Sequence, residues 1–362
     1  MRTIRITGTG SALPGRIVTN KELEQLVETS DEWIRERTGI AERHVSVGET
    51  VVTLASEAAH KALEQAGKTA EEIDLILVAS CSPEQYLPCC ACQVQAAIGA
   101  VNALAFDVNA ACSGFLFALN TADVYLRTGL AENALVIGSE VLSKLVDWTD
   151  RGSCILFGDG AGAVVVERCR TESRAVEYSN ALPETEKGMQ ETAEEKRIPA
   201  AGILGRALHS DGTGGGVLQC GARELTTPYA RTSAAKTDQN QPTDGREHYI
   251  QMDGQEVYRF ATRRVPQCIE EALSDAGLAV PDIDMFVLHQ ANARIIDAVA
   301  KRLHADRDKF PTNLERVGNM SSASIPVLLD ELNRQRTLHR GDRIVLAGFG
   351  AGLTIGACVM TW

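Results

Sequence analysis

ALEQAGKTAEEIDLILVAS, residues 62–80, returns in altered form as ALSDAGLAVPDIDMFVLHQ, residues 272–290. The Ala-Leu, Ala-Gly and Ile-Asp pairs all move by the same 210 positions, from Ala62 to Ala272 onward, so one supersecondary unit occurs twice. Each copy leads a helical stretch into an apolar, strand-like run. A looser echo links FGDGAG, starting at Phe157, with FGAG, starting at Phe349, each between two apolar runs. A period this long is not that of a solenoid, which repeats many short units. It implies two similar halves packed against each other.

Outward from the repeat, strand-like runs alternate with helical stretches: IDLILVAS, ALAFDVNAA, NALVIGSE and GAGAVVVE in the first half, then IDMFVLHQ, RIVLAGFG and TIGACVMTW in the second. Helical stretches such as SEAAHKALEQAG lie between them. Apolar runs of this kind among helices predict an α/β layered fold with buried sheets. The halves are expected over residues 1–170 and 201–362, separated by a Glu-rich exposed insert at 171–200. A second polar run, ARTSAAKTDQNQPTDGREH, reads as a loop or cap before the helix of VYRFATRRVPQCIEEAL.

The chain of 362 residues suffices for two ordinary domains or one large layered one. A net charge of -12 argues against general nucleic-acid affinity, and any acidic partner needs a local basic patch. The start, MRTIRITGTG, lacks a secretory pattern, and no apolar run nears the roughly 20 residues of a spanning helix, so the expectation is a cytoplasmic chain without a membrane partner. In that setting the ten cysteines are expected as reduced thiols. Cys89, Cys90 and Cys92 have neither zinc-site spacing nor a nearby His, and PCCACQVQAAIG reads as the start of a packed helix, so no metal site is expected.

Three residues carry candidate chemistry. Cys112, in FDVNAACSG, follows a strand-like run and precedes SGFLFALNTADVYLRTG, a helix expected to stop at Gly129. A helix N-terminus facing the sulfur favours its thiolate, which predicts a pKa below the ordinary ~8.5 and offers donors to an oxyanion. Alone, a buried structural thiol is the commoner reading of such a cysteine. His289 closes the strand of the second repeat, where sheet gives way to helix and open α/β sheets place ligands. The other six histidines lie in polar surroundings. Asn319 sits in the Gly-Asn turn of RVGNMSSASIP, 210 residues after Asn109, so the repeat sets its loop opposite the cysteine loop. Near the C-terminus, the glycines of AGFGAGLTIG let backbone approach a ligand, and a main-chain N–H at Ala351 is placed to complete an oxyanion hole with that of Cys112. None of the Gly-rich strings has the spacing and following helix of a dinucleotide or P-loop site.

With Cys112 in NAACSGF, His289 in HQANARI and Asn319 in GNMSSASIP, the chain resembles the thiolase-fold condensing enzymes, most closely the β-ketoacyl-[acyl carrier protein] synthase III family. TSDEWIRERTGI, WTDRGSCILFGDGAGAVVVE and GFGAGLTIG add to the likeness in family order, over nearly the whole length. The resemblance implies two pseudo-symmetric halves in a five-layer α-β-α-β-α arrangement, a homodimer and no cofactor. It also implies a reaction: Cys112 takes an acyl group from acyl-CoA, and malonyl-[acyl carrier protein] loses carbon dioxide to give a carbanion that attacks the thioester. The product is 3-oxoacyl-[acyl carrier protein], the first intermediate of fatty acid biosynthesis. His289 and Asn319 then stabilise the enolate as hydrogen-bond donors.

By the same resemblance, Trp33, Arg37 and Arg151 contact CoA and Asn292 touches its pantetheine arm. The carrier protein is expected to dock at Gln290, Ala291, Asn292, Ala293 and Arg294, with Arg259, Lys301 and Arg302 as supporting charges. Leu87 matches the position at which the family places an acyl-pocket gate across the dimer. Two departures stand out: Ala351 replaces the middle Gly of a GFGGG pattern, and the acidic stretch after Cys169 is long. Three rival readings remain: a papain-like hydrolase, which shares the Cys, His, Asn order; an inactive acyl-CoA-binding paralogue; and a starter-specialised relative in polyketide or quinolone synthesis.

Overall fold

Both copies of the repeated unit fold as helix, one turn of 3-10 helix and strand. The helices Val51–Ala66 and Gly254–Ala276 end at Gly67 and Gly277, whose φ values of 64° and 66° place them in the left-handed region. The 3-10 turns Ala70–Glu72 and Val280–Asp282 follow, then the strands Leu75–Ala79 and Met285–Leu288. Asp74 accepts a hydrogen bond from the backbone of Asn133 at 3.0 Å, and Asp284 accepts one from Arg343 at 2.8 Å, so the shift of 210 also holds for a tertiary contact.

The computed structural model describes residues 2–170, 202–221 and 248–362, so the expected insert at 171–200 and most of the second polar run lie outside the described residues. In chain order the first half comprises β1 (Arg2–Ala12), β2 (Arg16–Thr19), α1 (Asn20–Leu23), α2 (Asp31–Thr38), β3 (Glu42–Val45), α3 (Val51–Ala66), β4 (Leu75–Ala79), α4 (Cys90–Ile98), β5 (Leu104–Val108), α5 (Gly114–Thr128), β6 (Asn133–Glu140), α6 (Arg151–Cys154) and β7 (Gly160–Arg170). The second comprises β8 (Gly202–His209), β9 (Leu218–Cys220), β10 (Ile250–Met252), α7 (Gly254–Ala276), β11 (Met285–Leu288), α8 (Ala293–Arg302), α9 (Leu314–Val317), α10 (Ser324–Arg334), β12 (Arg343–Gly350) and β13 (Thr354–Thr361).

The strands form a five-stranded sheet in the order β1-β7-β6-β4-β5 and a four-stranded sheet in the order β11-β12-β13-β8. In the first, β4 runs parallel to β5 and β6 while β7 is antiparallel to β6 and β1. The second repeats this: β11 is parallel to β12, and β13 is antiparallel to β12 and β8. The apolar runs read from the sequence are β4 to β7 and β11 to β13. β1 and β8, which close the outer edges, were not among them, because their glycines and polar residues interrupt the pattern.

Strand alternation sorts the side chains into layers. Leu75, Leu77, Ala134 and Val136 face inward onto Phe115, Leu119 and Leu126 of α5. Ile76, Val78, Leu135 and Ile137 face outward onto α3 and α4. In the second sheet Val287, Ile344 and Leu346 join the same inner cluster, with Ile325, Leu328 and Leu329 of α10, while Phe286, Val345 and Ala347 pack under α7 and α8. The order is therefore helix, sheet, helix, sheet, helix. Fully burying a side chain such as Phe115 contributes roughly 1.5–3 kcal/mol, so the shared middle layer binds the halves tightly. Outer helices seat closely because a methyl on Gly8 would lie 2.2 Å from the carbonyl oxygen of Ala62, and one on Gly205 would lie 2.3 Å from that of Ala272.

Candidate active site

Two turns meet where the halves face each other. Ala111–Ser113 forms one 3-10 turn leading into α5, and Ser321–Ala323 forms the other leading into α10. Their first residues, Ala111 and Ser321, carry φ values of 46° and 48°, a strained left-handed backbone that only over-determined surroundings maintain. Asn109 Oδ1 accepts from Ala111 N–H at 3.3 Å, and Asn319 Oδ1 accepts from Ser321 N–H at 2.9 Å. Cys112 and Ser322 are thus counterparts, and the turns differ in chemistry rather than in path.

Neighbouring strands pin these turns. A methyl built on Gly350, at the end of β12, would lie 2.6 Å from Cys112 N. Ser113 Oγ lies 2.8 Å from both Thr354 Oγ1 and Ala110 O, which share its single proton. Asn319 N–H donates to Leu156 O at 2.9 Å, and Gly158 N–H donates to Asn319 O at 3.0 Å, so the second turn is stitched to the first half.

Cys112, His289 and Asn319 line one cleft of about 970 Å³, with Trp33, Arg37, Asn292, Phe349 and Gly350. His289 and Asn319 are buried, whereas Arg37 is exposed and Trp33 half-buried, so the cleft runs from solvent to the sulfur. Past Cys112 lies a chamber of about 220 Å³ whose walls include Cys81, Leu142, Leu145, Phe157, Leu218 and Ile250. At the mouth, the Arg37 guanidinium sits 5.9 Å and that of Arg151 4.8 Å from the Trp33 ring centroid, a stacking geometry open to a planar ligand. Asn292 caps α8 by accepting from Arg294 N–H at 2.9 Å and donates to Arg37 O at 3.0 Å, joining the mouth to that helix.

Burial overrides the expectation of a low thiol pKa. It pushes Cys112, half-buried at the end of the cleft, up to about 12, opposed by a hydrogen bond from Ser321 and helped by the charge of Glu140, so the thiol is un-ionised. Burial also lowers His289 to about 3, which leaves a neutral imidazole. Its backbone N–H donates to Ala347 O at 2.8 Å, its ring meets Phe349 edge-on at 5.5 Å, and its Nδ1 has no hydrogen-bond partner among the described residues. A buried neutral imidazole in the same cleft as the thiol can, with Asn319, donate to an oxygen gaining negative charge.

The other expected residues separate by location. Ala351 lines the chamber and has no positive φ, so its methyl adds no backbone strain. Gln290 corrects the expected docking surface: it is fully buried, donating to Leu288 O at 2.8 Å and accepting from Asn313 N–H at 3.2 Å, which takes it off any surface. Ala291, Asn292 and Ala293 are half-buried, and Arg294, Arg259, Lys301 and Arg302 are exposed. Leu87 is 85% exposed and lines neither cavity of its own chain. All ten cysteines are free thiols, and Asp107 caps α4 by accepting from Cys90 and Ala91 N–H at 2.9 and 2.7 Å. Among the described residues no cluster of His, Cys, Asp and Glu could hold a metal ion, and no helix is long and apolar enough to cross a membrane.

Sequence reading missed the chamber walls and Glu140. The walls come from segments distant in the chain and carry no motif. Glu140 did leave a signal, as the one charged residue closing the run NALVIGSE. It is fully buried at the end of β6, where burial raises its pKa and hydrogen bonds from Ser82 and Ser322 counter that rise.

Known proteins share this fold and resemble this sequence. Residues 106–181 match the family described as 3-oxoacyl-[acyl-carrier-protein (ACP)] synthase III, and residues 273–362 match its C-terminal family. A β-ketoacyl-[acyl-carrier-protein] synthase III of Clostridium acetobutylicum is 44% identical over 362 residues, covering 100% of this chain and 99% of that protein. The crystal structure of 3-oxoacyl-[acyl-carrier-protein] synthase III from Aquifex aeolicus superposes with a TM-score of 0.83 at 37% identity, covering 99% of this chain and 100% of that one. The priming β-ketosynthase of the R1128 polyketide pathway reaches 0.82 at 32% identity, with 99% and 96% covered. With the family models, a full-length relative at 44% identity and solved structures of the same fold in agreement, the chain belongs to the 3-oxoacyl-[acyl-carrier-protein] synthase III family of thiolase-fold acyltransferases.

Proposed function

We propose that the protein joins an acyl-CoA starter to malonyl-[acyl carrier protein], releasing CoA and carbon dioxide and giving 3-oxoacyl-[acyl carrier protein]. The convergence of Cys112, His289 and Asn319 on one cleft carries this reading. In the first half-reaction the Cys112 sulfur attacks the starter thioester. Its proton passes to the departing CoA sulfur, leaving an acyl-Cys112 thioester. The N–H groups of Cys112 and Ala351 receive the tetrahedral oxyanion. In the second, the malonyl carboxylate leaves as carbon dioxide while His289 and the Asn319 amide donate to the thioester oxygen. The enolate carbon then attacks acyl-Cys112, and the sulfur departs as thiolate and is reprotonated.

Trp33, flanked by Arg37 and Arg151, takes the CoA adenine and phosphates, and Asn292 the pantetheine arm. Exposed Arg294, Arg259 and Lys301, with Ala291 to Ala293 beside them, supply the carrier-protein surface that a chain at -12 needs. We read the active form as a homodimer built on β5, an edge strand flanked by exposed Val101, Leu104 and Val124, with Leu87 of each chain gating the other's chamber. Ten free thiols support a cytoplasmic setting. No cofactor enters the steps.

The test is a panel of acetyl-, isobutyryl- and longer acyl-CoAs with malonyl-[acyl carrier protein], products read by mass and the protein's own mass by light scattering. A 3-oxoacyl product that requires both substrates, from a two-chain species, is expected. Free acid from acyl-CoA alone would instead mark a hydrolase. The likeness to a polyketide priming synthase favours a second reading, a starter-specialised relative, which the panel separates by a preference for a longer or branched starter over acetyl.

A further inference from the structure

We propose that Glu140 is a positioning residue for the condensation half-reaction, acting on Asn319 through Ser322. The inference rests on the half-reaction roles given above. Glu140 is a fully buried carboxylate, and burying such a group is costly unless its oxygens are well supplied with donors. Ser80 Oγ donates to it at 3.2 Å, Ser82 Oγ at 2.6 Å and Cys81 N–H at 3.1 Å, all from the segment leaving β4. A further donor, Ser322 Oγ at 2.8 Å, comes from the other half of the molecule. Glu140 therefore fastens the asparagine turn to the first sheet.

The repeat explains why a carboxylate stands there. Glu140 and Gly350 occupy equivalent ends of β6 and β12, as Ser322 and Cys112 occupy equivalent turns. On one side bare Gly350 lies against the backbone of the nucleophile's turn. On the other, Gly138 of β6 presses on Ser322 O, where a methyl would come within 2.2 Å, and Glu140 binds the Ser322 hydroxyl. The same hydroxyl also lies 2.9 Å from Ala79 O, which shares its single proton with Glu140. Ser321, one residue before, holds the strained φ of 48° and gives its N–H to Asn319 Oδ1, which leaves Asn319 Nδ2 as the donor for substrate. Loosening Ser322 lets Ser321 relax and turns the Asn319 amide, while Cys112 stays pinned by Gly350, Ser113 and Thr354.

Single-turnover rates of both half-reactions, acylation from acetyl-CoA and carbon dioxide release from malonyl-[acyl carrier protein], test this in wild type, Ser322→Ala, Glu140→Gln and the double variant. Each single variant is expected to slow decarboxylation about tenfold, the scale of one lost hydrogen bond; acylation is expected unchanged within about twofold in Ser322→Ala and not slowed in Glu140→Gln, which also removes a charge that raises the Cys112 pKa. The double variant is expected to lose no more than the worse single, because both act through one contact. Equal slowing of the two half-reactions in Ser322→Ala, or multiplicative losses in the double, would overturn the proposal. If Glu140→Gln fails to fold, the half-reaction ratio in Ser322→Ala decides alone. Wild type lacking either half-reaction counts against the proposed function instead.

Discussion

At the cleft floor, burial outweighs every other influence on the reacting groups. A thiol pushed to about 12 and an imidazole lowered to about 3 make an uncharged pair, which suits a reaction that moves one proton and then shelters an enolate. For His289 the sign is definite: folding lowers its pKa, so between about 6.5 and 3 the unfolded chain binds the extra proton and stability falls with falling pH. A single such group contributes a slope of at most about 1.4 kcal/mol per pH unit. Denaturant melts of wild type and His289→Asn, followed from pH 7 to pH 4, are expected to diverge, with wild type losing more. Parallel curves would mean that His289 titrates normally. The nucleophile was legible as a cysteine at a helix start, but its pKa was not. That depends on Leu142, Phe157, Leu218 and Ile250, walls that no local pattern brings together.

At the scale of elements, paired turns and the strand ends against them set the geometry. Because a methyl on Gly350 would meet Cys112 N at 2.6 Å and Ala110 O at 3.2 Å, Gly350→Ala must displace the cysteine turn. The expected cost is about 1–3 kcal/mol, typical of overpacking, with loss of both half-reactions, unlike a change at Ser322. Thermal melts beside acylation rates check this, and an unaltered acylation rate would refute it. The strands β4 to β7 and β11 to β13 were readable because their runs are largely apolar. Edge strands β1 and β8 were not, since their glycines serve helix contact rather than periodicity. Gln290 was misplaced outward because proximity to Asn292 in sequence says nothing of its bonds to Leu288 and Asn313.

For the whole molecule, the 210-residue echo was enough to foresee two similar halves and the facing of Cys112 and Asn319. The duplication gives one shape two chemistries: one copy of the turn carries a cysteine, and the other carries a serine tied to a buried carboxylate. Starter choice was not legible, because the chamber draws on both halves and the exposed Leu87 lines neither cavity of its own chain. The division of labour between the turns is the central claim, and one measurement meets it directly. Asn319→Ala is mixed with acetyl-CoA and then with malonyl-[acyl carrier protein], following the mass on Cys112 and the 3-oxoacyl product. The account predicts full acetylation of Cys112 at near wild-type rate and at least a hundredfold loss of condensation, on the order of one essential donor to a developing oxyanion. Equal loss of both steps, or acetylation that persists in Cys112→Ser, would contradict it.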